Sequence, residues 1–394
     1  MLLEFSIENY LSFKEKTTFT MEADSSTDLE QNYTAFKDTN VLKTSAIYGA
    51  NASGKTNLIK AFTALILMVR ESDARQIGSI IPFMTPYAFD SDYKNKPCSF
   101  EIRFIQNGKK YEYGVSATEK RVHSEYLKVY NTQKPTTIFS RNMDEYNFPN
   151  QKEKTVLDSI AKMTTSNKLF LSTATTWNYS GMKEARLWFD SINTYDNFNM
   201  IKDASWDEMN DEKSNLKDFM LKLLKEADME ISDFEIEIKE MDADNIFAKG
   251  LIPISVIGGT QPKPTFRSIK VSMIHEVANS NGNKKYPLDF NNESSGTRTI
   301  FALAPLLKEA FSNNQIIIVD ELEKSLHPLL FRFILSLFNN KELNKASSQI
   351  IFTTHSTELL DSGCLRKDQV WFTEKKNENG CSTLYPLSDF PVRK

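Results

Sequence analysis

Eight consecutive residues, Gly49-Ala50-Asn51-Ala52-Ser53-Gly54-Lys55-Thr56, follow the pattern G-x-x-x-x-G-K-[ST]. Each fixed position has a chemical reason. The backbone N–H groups of such a loop curl around phosphate, glycine lets the main chain approach the anion, lysine reaches the outer phosphates and threonine ligates magnesium. Gly49, Asn51, Ser53, Gly54, Lys55, Thr56 and the adjoining Asn57 are therefore expected to surround a bound nucleotide, with Thr56 on the metal. The plainer reading is a glycine-bearing strand-to-helix turn, which leaves Lys55 with no anion to meet.

A second constellation lies far along the chain. Gln315-Ile316-Ile317-Ile318-Val319 reads as a buried strand, and it ends in the adjacent carboxylates Asp320 and Glu321. In that position Asp320 can hold magnesium and Glu321 can polarise a water molecule. Another apolar strand, Gln349 to Phe352, ends in Thr353-Thr354-His355-Ser356, so the His355 imidazole stands at a strand end and can address the outer phosphate or the attacking water. Between these segments, Glu293-Ser294-Ser295-Gly296-Thr297-Arg298 opens a helical pattern. Ser294, Ser295 and Gly296 at a helix N-terminus form an anion site, and since the phosphate loop is already complete, that site suits a nucleotide held by another subunit. Ser294 or Ser295 also suits a simple helix N-cap.

The elements that must carry these residues can be read from periodicity. Leu3, Phe5 and Ile7 alternate with polar residues, and a strand-prone stretch follows at Thr18 to Met21, so the chain opens with antiparallel strands. Ser45 to Tyr48 forms a strand, and Leu58, Ile59, Phe62, Leu65 and Ile66 recur at helical spacing behind the loop. SFEIRFI, KKYEYGVSA and EYLKVY form a meander around a turn at Asn107-Gly108. Further on, Leu216, Phe219, Met220, Leu223, Leu224 and Ala227 trace one helix face, and Phe234, Ile236 and Ile238 alternate as a strand. The expected division is an N-terminal core half at 1–145, an inserted helical and mixed subdomain at 146–265, and a C-terminal core half at 266–394. No heptad repeat persists in the insert, so long coiled-coil arms are not expected. Pro305 falls inside the helix that follows the serine-glycine turn and can kink it.

Taken in order, GANASGKT, ESSGT, IIIVDE and TTHS resemble the Walker A, signature, Walker B and switch-histidine motifs of ABC-type ATPases such as the RecF and SMC heads. The chain is more similar still, through NYLSFKEKTTF, IYGANASGKTNL, NESSGT, VDELEKSLHP and DQVWFTEK, to compact bacterial AAA-type proteins of the overcoming-lysogenisation-like, abortive-infection and RloA-like group. That resemblance implies an α/β P-loop NTPase head with a mixed sheet, an antiparallel β lobe and an inserted subdomain. It also implies ATP and Mg2+ as cofactors, with ATP sandwiched between the Walker A residues of one copy and Ser294 to Thr297 of its mate. Glu321 is then the hydrolytic base and the assembly a homodimer or larger. A TOPRIM-like or other nuclease-like effector encoded nearby is the implied partner, in anti-phage defence. Ser325-Leu326-His327-Pro328 looks like the D-loop, with His327 where related heads often carry aspartate. Ala52 stands where glycine is frequent, Glu293 where many signatures have leucine, and Gln76 is a weak candidate for the Q-loop glutamine.

Bulk properties set limits. In 394 residues, 48 basic and 52 acidic side chains leave a net charge of −4, which demands neither nucleic acid nor an anionic membrane. A RecF-like clamp on DNA remains the alternative function and requires a local basic groove. The lysines near Gln106 to Lys110 and Asn283 to Lys285 read more simply as solvated loops. Cys98, Cys364 and Cys381 are too scattered for zinc, and fit a reducing cytoplasm. The apolar stretch Ala61 to Val69 is well short of the roughly 20 residues that a bilayer requires, so a soluble protein is expected. Asn344-Lys345-Ala346-Ser347 lacks the aspartate of a guanine-reading loop, which argues for ATP over GTP, and the intact Asp320-Glu321 pair argues against a scaffold that merely binds nucleotide.

Overall fold

The computed structural model describes residues 1–195, 201, 203–211, 213–241, 266–279, 282–325, 327–360 and 363–390. Alternation at the start of the chain forms β1 (Leu2–Glu8), with Leu3, Phe5 and Ile7 buried. It is followed by β2 (Thr17–Thr20), β3 (Tyr33–Phe36), β4 (Thr39–Leu42) and the largely buried β5 (Thr44–Gly49), which runs into the loop ahead of α1 (Lys55–Arg70). The expected meander is β6 (Cys98–Gln106), β7 (Lys109–Ala117) and β8 (Val122–Tyr130), continued by β9 (Thr136–Asn142) and β10 (Glu145–Asn147). Asn107 and Gly108 join β6 to β7 with φ of 48° and 74°, both positive, as a tight hairpin turn matched to strand twist requires.

Next come α2 (Lys154–Met163), α3 (Phe170–Thr176), α4 (Lys183–Trp188) and β11 (Ile192–Tyr195). The helices α5 (Asp203–Asn210) and α6 (Leu216–Glu226) lead to β12 (Asp233–Met241), β13 (Phe266–Asn279), β14 (Gly282–Asp289) and the long α7 (Ser295–Asn313), which accommodates Pro305 in its interior. The chain closes with β15 (Ile316–Val319), α8 (Pro328–Asn339), β16 (Gln349–Thr353), β17 (Val370–Lys375) and β18 (Ser382–Pro386).

Two sheets build the main unit. One is antiparallel, in the order β10-β9-β8-β7-β6-β1-β2. The other, in the order β11-β15-β16-β5-β17-β18, is parallel except for the final hairpin. This is the mixed α/β architecture with an antiparallel lobe expected for an ABC-type head. A single apolar cluster joins Phe5 and Phe100 of the first sheet, Phe62 and Leu65 of α1, and Ile47, Ile318, Ile351 and Trp371 of the second. Phe62 is its hinge point, stacked on Phe5 at 4.0 Å between ring centroids and edge-on to Phe19 at 6.1 Å. Helix α1 is thereby clamped by its apolar face, and its N-terminus is held where β5 delivers it.

The chain divides into two compact units, 1–197 with 309–394, and 198–308. These differ from the expected boundaries at 146 and 266. Residues 146–195 stay with the first unit because β11 extends the parallel sheet, pairing Ile192 with Ile316 and Tyr195 with Val319. Residues 266–308 fall in the second unit because β13 pairs along all of β12, from Asp233 opposite Ile274 to Met241 opposite Phe266. The second unit has its own core, where Phe301 of α7 packs against Phe234 and Phe290 at 5.0 Å each. The stretch 242–265 of the expected insert lies outside the described residues. Among the described residues no helix is long and apolar enough to cross a membrane.

One buried charge pair organises the antiparallel lobe. Glu125 on β8 is fully buried, 3.7 Å from the equally buried Arg141 of β9, and accepts from Tyr113 Oη at 3.1 Å. Its two oxygens also accept the Phe170 and Leu171 N–H groups, at 2.7 and 3.0 Å, so a carboxylate caps the start of α3. Desolvation raises the Glu125 pKa against these partners. Glu125→Ala strands the Arg141 guanidinium and should cost about 3–5 kcal/mol of stability, read by chemical denaturation. Replacing both residues by apolar ones should recover part of that loss.

Candidate nucleotide site

The parallel strands β5, β15 and β16 all end at the same edge of their sheet, where ligands of open α/β sheets bind. From β5 the chain turns through the loop Gly49 to Gly54 into α1. The turn needs left-handed backbone at two places: Ala52 has φ 62° and Gly54 has φ 119°. Ala52 thus adopts a conformation that glycine takes more easily. Two glycines are also needed for space. A Cβ on Gly49 would sit 2.3 Å from Thr373 Oγ1, and one on Gly54 would sit 2.4 Å from Ser382 Oγ.

Those two hydroxyls belong to β17 and β18, and they buttress the loop from behind. Ser53 Oγ and Thr373 Oγ1 lie 2.6 Å apart, Thr373 Oγ1 donates to Tyr48 O at 3.2 Å, and Ser382 Oγ donates to Ser53 O at 2.6 Å. Ser12 completes the support: its hydroxyl accepts from Asn57 Nδ2 at 2.8 Å, and its carbonyl accepts the Ser382 N–H at 2.7 Å. The Ser53 hydroxyl and the Asn57 amide are therefore turned inward as props of the loop. Asn51 is exposed at the loop's tip.

Gly54 is the N-cap of α1 and has no side chain to cap the helix, and the first turn carries no acidic residue. The free N–H groups at this end, together with Lys55, make a positive cradle that fits a phosphate. Lys55 is buried, and its ammonium donates to Gly49 O at 2.6 Å and Ala50 O at 3.2 Å. Burial lowers its pKa, opposed by the fields of Glu321, Asp320 and Glu323.

The carboxylates meet this cradle directly. Thr56 Oγ1 donates to Asp320 Oδ2 at 2.8 Å, bringing together the two residues expected on the metal. A threonine hydroxyl beside a carboxylate is an all-oxygen donor set of the kind magnesium takes, so the residues fit that ion. Asp320 Oδ1 accepts from Thr353 Oγ1 at 2.5 Å, and Thr353 Oγ1 in turn accepts the Glu321 N–H at 2.7 Å. Glu321 has φ 52°, a left-handed conformation uncommon outside glycine and characteristic of functional turns. His355 Nε2 lies 3.9 Å from Glu321 Oε1, and the His355 N–H donates to Glu323 Oε1 at 2.5 Å. Lys55, Thr56, Asp320, Glu321 and His355 thus converge from three separate segments of one unit.

Ser294, Ser295 and Gly296 lie in the other unit, the two serines exposed. Ser294 Oγ accepts the Thr297 N–H at 3.0 Å and lies 2.8 Å from Thr297 Oγ1, so it is the N-cap of α7. Glu293 is held by His275, whose Nε2 lies 2.6 Å from Glu293 Oε1. His327 accepts the Leu329 N–H on Nδ1 at 3.3 Å and caps α8, with Pro328 at the first helical position. A capping role there suits aspartate as well as histidine; Leu326 lies outside the described residues. Gln76 follows the far end of α1, a 16-residue helix about 24 Å long, and its carbonyl accepts from Asn167 Nδ2 at 2.8 Å.

Sequence reasoning did not single out Thr353, Glu323, Thr373, Ser382 or Ser12. For Thr353 a signal existed, a hydroxyl ending a fully buried strand. For Thr373 and Ser382 none did, since 320 and 329 residues separate them from Ser53.

The family model described as "AAA domain, putative AbiEii toxin, Type IV TA system" matches residues 45–361, a span containing the phosphate loop, the acidic pair and His355. The chain belongs to this AAA family. Membership places it among the ATP-binding P-loop ATPases. The AAA chain is also similar to the SMC head domain from Thermotoga maritima, at 13% identity and a TM-score of 0.43 over 99% of each chain. A second similar structure is an SmcHead bound to the C-winged helix domain of ScpA, at 12% identity and a TM-score of 0.43, covering 98% of this chain and 97% of that one. No curated protein matches in sequence.

Support of the loop by β18 has a measurable consequence. Gly54→Ala adds a backbone penalty and a clash with Ser382, whereas Gly78→Ala, at φ 81° with open space around it, adds the backbone penalty alone. Thermal denaturation should show a clearly larger drop for Gly54→Ala, the backbone part of each costing about 1–3 kcal/mol.

Proposed function

We propose that this AAA protein binds ATP with magnesium, hydrolyses it, and closes as a dimer around it to control a nuclease-like effector in anti-phage defence. The observation that carries the reading is the chain of hydrogen bonds from Thr56 through Asp320 and Thr353 to Glu321, set beside the Lys55 cradle. It supports, at one sheet edge, a phosphate-binding loop, a metal-holding pair and, next in sequence, the Glu321 carboxylate as proton acceptor.

Thr56 and Asp320 are the residues that would hold magnesium, which when bound supplies neutralisation of phosphate charge. Lys55 and the α1 N–H groups bind and orient the phosphates. Glu321 accepts a proton from the water as its oxygen bonds to the γ-phosphorus, while the bond to the β–γ bridging oxygen breaks to leave ADP and phosphate. His355, next to Glu321, orients that water or the γ-phosphate. Ser294 to Gly296 complete the pocket of a second copy, a role supported by the exposure of the two serines at the positive end of α7. Dimerisation and ATP binding then strengthen each other by linkage.

Placement in defence is supported by the family description, which names an AbiEii toxin and a Type IV system. The DNA-clamp alternative gains no support from the lysines at 109 and 110. Lys109 lies 3.2 Å from Glu184, and Lys110 lies 3.7 Å from Glu22.

Purified protein should hydrolyse ATP with magnesium, and Glu321→Gln should slow turnover by roughly 100-fold or more while trapping a nucleotide-bound dimer. Light scattering that finds only monomer at saturating ATP, for this variant and the wild type, rejects the sandwich. In a phage challenge of cells carrying the native locus, Lys55→Ala should abolish protection; unchanged protection rejects the defence assignment.

A further inference from the structure

We propose that Thr353 is a positioning residue that makes Asp320 and Glu321 act as one unit, setting the metal-holding carboxylate and the proton-accepting carboxylate together. The proposal rests on the ATPase reading above and concerns how that site is built.

The direction of the hydrogen bonds follows from donor chemistry. The Glu321 N–H can only donate, so the Thr353 oxygen accepts it, at 2.7 Å. The one hydroxyl proton of Thr353 is left for Asp320 Oδ1, at 2.5 Å. Thr56 gives its proton to the other oxygen, Oδ2, at 2.8 Å. The Asp320 carboxylate is therefore gripped on both oxygens by hydroxyls, which fixes its plane.

The two grips are not equivalent. Thr56 is exposed at the first turn of α1, in the place where a cation and phosphates arrive, and its oxygen is needed there as a ligand. Thr353 is completely buried at the end of β16, held in register with Ile47 of β5, and faces no solvent. Its hold on Oδ1 is the lasting one. The same oxygen anchors Glu321 where the backbone is left-handed, at φ 52°, a conformation that a non-glycine residue keeps only when its surroundings impose it. One hydroxyl thus fixes the direction of Asp320 and the turn that aims Glu321. His355, two residues farther on, is tied to the same turn through Glu323.

The test compares Thr353→Val, Thr353→Ala and Thr353→Ser with wild type. Titration with a fluorescent ATP analogue is done first in EDTA and then in magnesium, alongside steady-state hydrolysis. Metal-free affinity should stay within about 2-fold in the valine variant, because the loop and Lys55 are untouched. The gain in affinity on adding magnesium, and kcat, should each fall about 10- to 100-fold, the usual effect of losing a group that orients a metal ligand. Serine should restore both, since it keeps the hydroxyl. A valine variant with wild-type magnesium gain and kcat overturns the proposal. So does loss of metal-free affinity in both the valine and the alanine variants, because Thr353 then supports the fold and does not orient the carboxylates. A wild-type chain that neither binds nor hydrolyses ATP rejects the ATPase reading itself, and the proposal with it.

Discussion

The site depends on how the Asp320 carboxylate is held at the end of a strand that is otherwise entirely apolar. Ile316 to Val319 are all buried, and a charge placed directly after them sits at the border of a low-dielectric core. Such a charge is tolerable only with hydrogen-bond donors on its oxygens. Here the donors are two threonine hydroxyls, one from α1 and one from β16. Because β5, β16 and β15 are parallel neighbours, all three deliver their C-terminal ends to one edge, and residues from positions 56, 320 and 353 meet without any long side chain.

The phosphate loop has a comparable dependence on distant strands. Its glycines answer to the hydroxyls of Thr373 and Ser382 pressed against it, and at Gly54 to the loop's own left-handed turn as well. Those hydroxyls, with Ser12, satisfy Ser53 and Asn57 and hold the loop's shape from behind. The strands after His355 therefore act on the loop through its packing. Lys55 completes the balance: burial disfavours its charge, and the three carboxylates of the facing turn favour it.

The folded chain adds detail to several readings of the sequence, each for a definite reason. Ser53 and Asn57 belong to the loop motif, and their side chains turn inward because partners from β17 and from the turn after β1 are there to receive them. Gln76 follows the phosphate-loop helix in sequence, and the length of that helix carries it away. The boundaries placed at 146 and 266 followed shifts in composition, whereas the units divide where strands pair: β11 with β15, and β13 with β12. At the second serine-glycine turn, Ser294 serves as the helix cap that its residue type allows.

From sequence alone the phosphate loop, the acidic pair, the strand-to-histidine segment and the positions of several strands could be read, because each rests on local chemistry: a fixed spacing, a period of two or of 3.6, a glycine where backbone must approach an anion. Only the tertiary structure decided which hydroxyls support that chemistry. Thr373, Ser382 and Ser12 carry no local signature of their role, and the signal at Thr353, a hydroxyl ending a buried strand, does not say that it faces a carboxylate. What distinguishes them is the order of strands in the parallel sheet. That order is settled by the packing of one apolar core around α1, and no spacing along the chain encodes it.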